Sequence, residues 1–317
     1  MRAVALALLC AASLCAQKIN HIAKIHVVVL STMLADAGIG EWGFSALVEA
    51  DGRRILFDTG ARPETVLRNA RELGIDLSGV DEIILSHNHA DHTGGLLTLR
   101  REMAKARPAA LARAHVGKGI FLSRVGPSGG EANIMIRARQ EYEAGGGHFI
   151  EHATAEEIFP GAWLTGPVPR KFPERNWTMN GRSGQIRMPD GSTAEDTVPE
   201  DQSLALDTDR GWVIISGCAH AGMVNTIDYV ETVRRAPVVA AIGGFHLFET
   251  DDEHLKWTAE KLRAFGLENL LGAHCTGIEA LYRLRELTGL NRRTGAVGAV
   301  GATYDLDTGL HPGRIAH

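Results

Sequence analysis

Short apolar runs and helix-like apolar spacing alternate along this chain. In the first part they predict strands at residues 25–30, 44–49, 54–57 and 82–85, and helices at 63–73 and 93–105. The alternation resumes after residue 200, with strands predicted at 203–206, 212–215, 238–242 and 270–271, and helices at 223–234, 253–265 and 279–287. The pattern therefore predicts an α/β protein built from two βα-rich halves.

Residues 117–200, between the two halves, are rich in glycine and proline. The densest stretches are 126–130, 145–147 and 166–169. Such punctuation predicts an irregular insertion, and long irregular segments in compact domains are usually functional or mobile. We therefore expect the insertion to cover a cleft and to shape substrate choice, with His115, Phe172 and Trp177 as candidate lining residues. Apart from this insertion, residues 17–317 are expected to form a single domain.

The first sixteen residues have a basic start followed by an apolar stretch at 3–12. This stretch is too short to span a bilayer as a helix but suits the core of a signal peptide cleaved after Ala16. An uncleaved apolar tail is the alternative. We expect a periplasmic or secreted protein with no stable membrane insertion. Cleavage would remove Cys10 and Cys15 and leave Cys218 and Cys275, which are too few for a disulfide scaffold.

Composition is consistent with a compact enzyme. The chain has 317 residues, of which 44% are hydrophobic and 22% are charged, so it can bury a substantial core. The net charge of −5 provides no basic surface for nucleic acid. We therefore expect a small-molecule substrate and no nucleic-acid partner.

The segment 86–95 concentrates metal-binding chemistry directly after the predicted strand 82–85. In open α/β sheets, ligands bind beyond the carboxyl ends of strands, where side chains can converge. His87 and His89 are two residues apart and can hold one ion, whereas Asp91 and His92 can reach a second. Imidazole and carboxylate ligands suit zinc, and also iron or manganese. The segment predicts a dinuclear metal site, and a solvated histidine-rich turn is the alternative.

These residues match the His-x-His-x-Asp-His signature of the metallo-β-lactamase superfamily, which the chain resembles. The resemblance extends to 55–60, which looks like the superfamily's strand ending in Asp-Thr-Gly. Three further segments resemble the branch that includes the archaeal dihydropterin-ribofuranosyl-aminobenzene-phosphate synthase-like proteins, namely 216–222, 243–247 and 273–277. The resemblance implies an αββα four-layer sandwich with metals at one edge. It also implies that Asp58 supports the metal loop from behind the ligands.

The resemblance further implies a third histidine on the first metal, a bridging carboxylate, and a last histidine on the second metal. His274 is the predicted last ligand. The expected histidine before the bridge is missing, and we predict that His220 replaces it, with a structural histidine as the alternative. Gly217-Cys218 stands where many relatives carry Gly-Asp, so the bridge is either the Cys218 thiolate or solvent alone. His246 could bind a metal or the substrate.

A metal-dependent hydrolase follows from these ligands. A bound ion would activate water for attack on an ester, lactone, lactam or phosphoester, and Asp91 would orient the nucleophile and transfer a proton. We expect zinc, with two ions per chain if both positions fill. One alternative is the pterin-related transfer to a ribosyl phosphate of the named branch, which the predicted export disfavours. Another is a non-catalytic metal-binding or sensing protein, which the missing acidic bridge supports.

Overall fold

A computed structural model describes residues 21–178, 182–188 and 190–315 of the chain. The predicted signal peptide at 1–16, with Cys10 and Cys15, lies outside the described residues. In chain order the strands are β1 (Ile25–Ser31), β2 (Leu34–Ala35), β3 (Ser45–Ala50), β4 (Arg53–Phe57), β5 (Glu82–Leu85), β6 (Arg113–Gly117), β7 (Ser123–Arg124), β8 (His148–His152), β9 (Glu156–Phe159), β10 (Ala162–Leu164), β11 (Gly184–Arg187), β12 (Thr193–Asp196), β13 (Ser203–Thr208), β14 (Gly211–Ser216), β15 (Val238–Gly243), β16 (Asn269–Gly272), β17 (Gly295–Val297), β18 (Ala299–Val300), β19 (Thr303–Asp305) and β20 (Gly309–His311). The helices are α1 (Thr65–Glu72), α2 (Ala90–Thr93), α3 (Leu96–Ala106), α4 (Ile134–Ala144), α5 (Met223–Val233), α6 (Asp252–Ala264) and α7 (Ile278–Thr288).

Two large sheets carry the fold. The first has eight strands in the order β20-β19-β1-β3-β4-β5-β6-β8, and the second has seven in the order β17-β16-β15-β14-β13-β10-β9. Both contain an antiparallel hairpin, β3-β4 or β13-β14, that leads into four parallel strands. The two halves predicted from the sequence therefore correspond to two similar sheets.

Three apolar layers hold these sheets and the helices together. Side chains of both sheets, such as Phe57 and Ile215, form the layer between them. Helices α1, α3 and α4 cover the outer face of the first sheet, and α5, α6 and α7 cover the outer face of the second. The short strand β5 shows why its sequence is apolar throughout, since Ile84 faces the other sheet while Ile83 and Leu85 face the helices. The architecture is the predicted αββα four-layer sandwich.

The middle segment differs from the expectation of an irregular insertion at 117–200. Helix α4 lies within it, β8 joins the first sheet, and β9 and β10 join the second. Strands β7, β11 and β12 form a separate small sheet. The prediction was wrong here because the glycine- and proline-rich stretches mark the ends of these elements. Gly145, for example, is the residue at which α4 ends.

The helix predicted at 93–105 is interrupted at its start. Gly94 and Gly95 separate α2 from α3, and a Cβ atom on Gly94 would lie 1.9 Å from the carbonyl oxygen of Ala61. The backbone following the metal segment therefore packs too closely against its neighbour for any side chain. No helix among the described residues is long and apolar enough to cross a membrane.

Candidate metal centre

The carboxyl ends of four strands meet at one edge of the sandwich, where they bring the chemically active side chains together. The segment after β5 contributes His87, His89, Asp91 and His92; the ends of β14, β15 and β16 contribute Cys218, His220, His246, His274 and Cys275. Most of these residues line a pocket of about 300 Å³, which also has Trp42 and Trp177 in its wall. The structure thus brings all of the sequence-predicted ligands to one site.

The first group of donors pairs the two halves through His87 and His220. Their Nε2 atoms lie 3.2 Å apart, and the ring of His89 lies 4.5 Å from that of His87 and 4.8 Å from that of His220. One ligand atom from each of His87, His220 and Cys218 falls within 4.8 Å of the others. His220 therefore lies beside His87 and His89, which is the position predicted for it as the replacement of the missing histidine.

The second group of donors lies beside the first and likewise pairs a histidine from each half. The Nε2 atoms of His92 and His274 are 3.2 Å apart, and Asp91 Oδ2 lies 3.3 Å from His274 Nε2. The Sγ atom of Cys218 is 3.2 Å from His92 Nε2. Cys218 is thus the one residue that belongs to both groups.

Hydrogen bonds behind the rings fix their tautomers. Buried Asp58 accepts from the backbone N–H and the hydroxyl of Ser86 and from His92 Nδ1, each at 2.7 Å. Because the only hydroxyl proton of Ser86 points to Asp58, Ser86 Oγ accepts from His87 Nδ1, at 2.9 Å. His220 Nδ1 donates to the carbonyl oxygen of Asn176, at 2.6 Å. In the neutral rings, Nε2 of His87, His92 and His220 therefore carries a lone pair directed into the site.

This arrangement fits a metal ion. Between His87 Nε2 and His220 Nε2 no proton is available, so two lone pairs face each other at 3.2 Å. Burial lowers the pKa of both imidazoles well below the usual value, and neighbouring histidines lower it further. Protonation of either ring therefore does not relieve the repulsion between the two lone pairs. A cation bound between the two nitrogens would relieve it. Neutral imidazole is also the protonation state in which histidine binds metals.

Asp91 and His274 show that the second group also favours positive charge. Burial alone would raise the pKa of Asp91, but His92 and His274 outweigh it and hold that pKa below its usual range. Burial likewise would lower the pKa of His274, whereas Cys275 and Asp91 raise it to about 9. A cation bound at this position would replace the charge that the surroundings favour on His274.

The second half reaches the site through unusual backbone. Ala219, His246 and His274 have φ values of +49°, +47° and +45°, in the left-handed region that non-glycine residues rarely adopt. Two residues before Ala219, Gly217 packs so closely against the first half that a Cβ atom would lie 2.1 Å from Ser86 Oγ and 2.5 Å from an oxygen of Asp58. The two halves therefore touch directly behind the ligands.

A buried ion-pair network supports the metal segment from its other side. Arg124 binds both oxygens of Glu200, at 2.8 and 2.7 Å, and Glu200 accepts from the backbone N–H of Asn88, between the first two ligands. Burial raises the pKa of Glu200 to about 7, although Arg124 opposes that change. The network fixes the loop between β5 and α2 to the segment that precedes β13.

Several of these residues were not found by sequence reasoning. Ser86 stands next to the signature, but nothing in the sequence marks it as the hydrogen-bond partner of His87. Trp42 gives no signal at all, because it comes from a loop far from every motif. Of the three lining candidates only Trp177 lines the pocket: His115 pairs with His152, at 2.9 Å, and Phe172 packs near Trp257.

Comparison with known proteins gives a consistent result. The family model of the metallo-beta-lactamase superfamily matches residues 43–234. The 7,8-dihydropterin-6-methyl-4-(β-D-ribofuranosyl)-aminobenzene-5'-phosphate synthase of Methanocaldococcus jannaschii is 31% identical over 272 residues, covering 82% of this chain and 91% of that protein. The crystal structure of Tm1679, described as a metal-dependent hydrolase of the β-lactamase superfamily, is similar at a TM-score of 0.67 and 23% identity, covering 88% of this chain and 98% of that one. Zn²⁺-bound PqqB from Methylobacterium extorquens is similar at 0.53 and 18%, covering 89% and 100%. The two structures support the fold alone.

Proposed function

This chain belongs to the metallo-β-lactamase superfamily, and we propose on that premise that it is a metal-dependent hydrolase of an ester, lactone, lactam or phosphoester. The observation that carries the proposal is the pair of imidazole lone pairs that face each other at 3.2 Å between His87 and His220. Nitrogen atoms arranged in this way serve to hold a cation, and the pocket beside them leaves room for a small molecule.

We assign the two donor groups to two ions, preferably zinc. His87, His89 and His220 would hold the first, and Asp91, His92 and His274 would hold the second, with Cys218 within reach of both. When bound, such ions polarise an acyl or phosphoryl oxygen and lower the pKa of water toward neutrality. Imidazole and carboxylate donors are compatible with zinc, iron and manganese, so the metal has to be measured.

The chain's own residues supply proton transfer and enclosure. Asp91 is ionised, because His92 and His274 depress its pKa, and it faces the pocket. Its carboxylate can therefore hold a water molecule in place by accepting a hydrogen bond, and we propose that it passes the water's proton to a leaving group, with its low pKa favouring release of that proton. Asp58 holds the ring of His92 in one orientation throughout. Trp42 and Trp177 add apolar surface to the pocket wall, and the ring of Trp42 packs against that of His274.

A second candidate function is favoured by the relative from Methanocaldococcus jannaschii. That protein is named a synthase of a dihydropterin joined to a ribofuranosyl-aminobenzene phosphate, and it matches most of this chain. A pterin-related transfer to a ribosyl phosphate therefore belongs in the same assay panel. Turnover of that pair, without hydrolysis of esters, lactones, lactams or phosphodiesters, would replace our first proposal with the second.

The test combines metal content with turnover. We expect the purified protein to carry zinc, and the His220→Ala variant to lose both metal and hydrolysis, because one nitrogen of the facing pair is gone. His148→Ala is the matched control, since His148 is exposed on β8, away from the pocket. Unchanged metal and turnover in His220→Ala would contradict the assignment. Metal binding without any turnover would favour a binding or sensing role.

N-terminal sequencing of the exported protein tests the predicted cleavage after Ala16.

A further inference from the structure

Two cysteines meet inside the pocket without forming a disulfide. Cys218 follows β14 and Cys275 follows β16, and their Sγ atoms lie 3.1 Å apart. Both are free thiols and almost fully buried, at 2% and 1% exposure, yet both line the pocket. The hydrolase proposal uses Cys218 only as a neighbour of both donor groups and gives Cys275 no role.

His246 completes this cluster from the end of β15. Neither of its ring nitrogens makes a hydrogen bond of ordinary geometry, although both are shielded from solvent. Its backbone N–H donates to Cys275 Sγ at 3.2 Å, so the residue is fixed beside the thiols. One donor atom from each of Cys218, His246 and Cys275 lies within 4.8 Å of the other two.

Ordinary packing does not account for this arrangement. Thiols are weak hydrogen-bond donors and acceptors, so their contacts compensate little for the burial of an imidazole whose nitrogens make no hydrogen bond of ordinary geometry among the described residues. The absence of a side chain at Gly244 also makes room for Cys275, because a Cβ atom there would lie 2.9 Å from Cys275 Sγ. Two sulfur atoms and one imidazole nitrogen are instead a ligand set that thiophilic cations prefer.

We propose that Cys218, Cys275 and His246 form a sulfur-rich subsite for a thiophilic cation such as Zn²⁺, Cd²⁺ or Cu⁺. Cys218 is shared with the imidazole groups, so the subsite extends the metal centre toward β15 and β16. Tetrahedral zinc bound to two thiolates would hold their sulfur atoms roughly 3.8 Å apart, given Zn–S bonds near 2.3 Å. The observed contact needs to open only slightly to reach that separation.

Charge-transfer absorption tests the subsite independently of turnover. Co²⁺ added to the reduced, metal-free full chain should produce a thiolate-to-cobalt band in the near ultraviolet. We expect Cys218→Ser and Cys275→Ser each to remove one of two thiolate contributions, and His246→Ala to weaken Co²⁺ binding, whereas His254→Ala, which changes a nearby imidazole on α6, should leave both unchanged. A full-strength band in Cys275→Ser, or no band in the wild type, would overturn the proposal.

A second measurement uses the wild-type chain and does not depend on how the variants fold. Cd²⁺ should protect Cys218 and Cys275 together from alkylation, as read by peptide mapping, which also separates them from Cys10 and Cys15. Protection of Cys218 alone would assign it to the imidazole groups and overturn the subsite. A disulfide between the two cysteines that survives treatment with a reductant and loading with metal would overturn the proposal as well. If Cd²⁺ protects both cysteines but the protein hydrolyses none of the substrates, the result would count against the hydrolase proposal only.

Discussion

The two halves of the molecule hold their candidate metal ligands in different ways. The first half delivers its ligands from one continuous segment after β5, and hydrogen bonds to Nδ1 orient the rings. His92 donates to Asp58, and His87 donates to Ser86. The imidazoles of His87 and His92 are therefore oriented independently of any bound ion.

The second half delivers its groups from three separate strand ends, with less hydrogen bonding at the rings. Among the described residues, the Nδ1 atoms of His246 and His274 have no hydrogen-bond partner of ordinary geometry. Their backbone instead adopts the left-handed region, which costs roughly 1–2 kcal/mol per residue and persists only where the surrounding structure enforces it. Hydrogen bonds therefore orient His87 and His92 in the first half, and backbone in the left-handed region positions His246 and His274 in the second; His220, which donates to Asn176, and Asp58, with φ of +54°, show that the division is one of degree.

Removal of Asp58 should have the largest effect, because the first half depends on it. Asp58→Ala deprives the backbone N–H of Ser86 and the ring of His92 of their buried acceptor. We expect metal affinity to fall about 10- to 100-fold, with a parallel loss of turnover. Titration with a metal-competing chelator measures this. Asp51→Ala is the matched control, since Asp51 also accepts backbone N–H bonds but is exposed and distant. Equal affinities in both variants would contradict the role of Asp58.

Filling the contact between the halves should come next. In Gly217→Ala the added methyl would collide with Ser86 Oγ and Asp58, and we expect about 1–3 kcal/mol of lost stability, together with weaker metal binding. Urea unfolding with and without zinc measures both. Gly130→Ala, where the added atom would lie 3.8 Å from Ser128 Oγ in ordinary van der Waals contact, should change neither. A loss of stability without a loss of metal affinity would mean that the contact does not align the two halves.

A buried carboxyl group offers a third test, on the backbone of the second half. Glu174 accepts the N–H groups of Val224 and Asn225 at the start of α5, and burial raises its pKa from 4.5 to about 7 although these bonds oppose it. The folded protein then keeps a proton that the unfolded chain releases between those values. Its contribution to the free energy of unfolding therefore falls as pH rises from about 4.5 to 7, by roughly 1 kcal/mol per pH unit.

Urea unfolding across that pH range, for the wild type beside Glu174→Gln, measures this contribution. The wild type should lose stability with rising pH relative to the variant, which has no proton to release at this position. Stability curves that run parallel would show that Glu174 has an ordinary pKa in the folded protein.

The smallest effect is expected for Ser86→Ala. This change removes the acceptor of His87 Nδ1 but leaves Asp58 bonded to His92. The hydroxyl group makes two hydrogen bonds, to Asp58 and to His87, and each is worth about 1 kcal/mol. Because Asp58 stays bonded to His92 and to the backbone N–H of residue 86, metal affinity should fall less than in Asp58→Ala. The same chelator competition ranks the two variants. If Ser86→Ala had no effect, His87 would resemble His274, whose Nδ1 atom also lacks a partner, and the contrast between the halves would weaken.

Much of the fold was visible in the sequence, because apolar runs buried on both faces and helical spacing are local signals. The ligands of the first half were visible for the same reason, since His87, His89, Asp91 and His92 lie within six residues. Of the contacts behind them, the resemblance implied the support from Asp58, but not those of Ser86 and Gly217, because Gly217 meets Ser86 only after the two sheets have packed together. The middle segment was misread because glycine marks the ends of helices and strands as well as loops.

The close packing of Gly217 against Asp58 and Ser86 has a consequence for the growing polypeptide. During synthesis, the imidazoles of the first half emerge long before His220 and His274. An ion bound by the first half alone would have few ligands and would exchange readily, because metal affinity depends on the completed fold. If the protein holds metal as we propose, the identity of the ion would therefore be set where folding finishes.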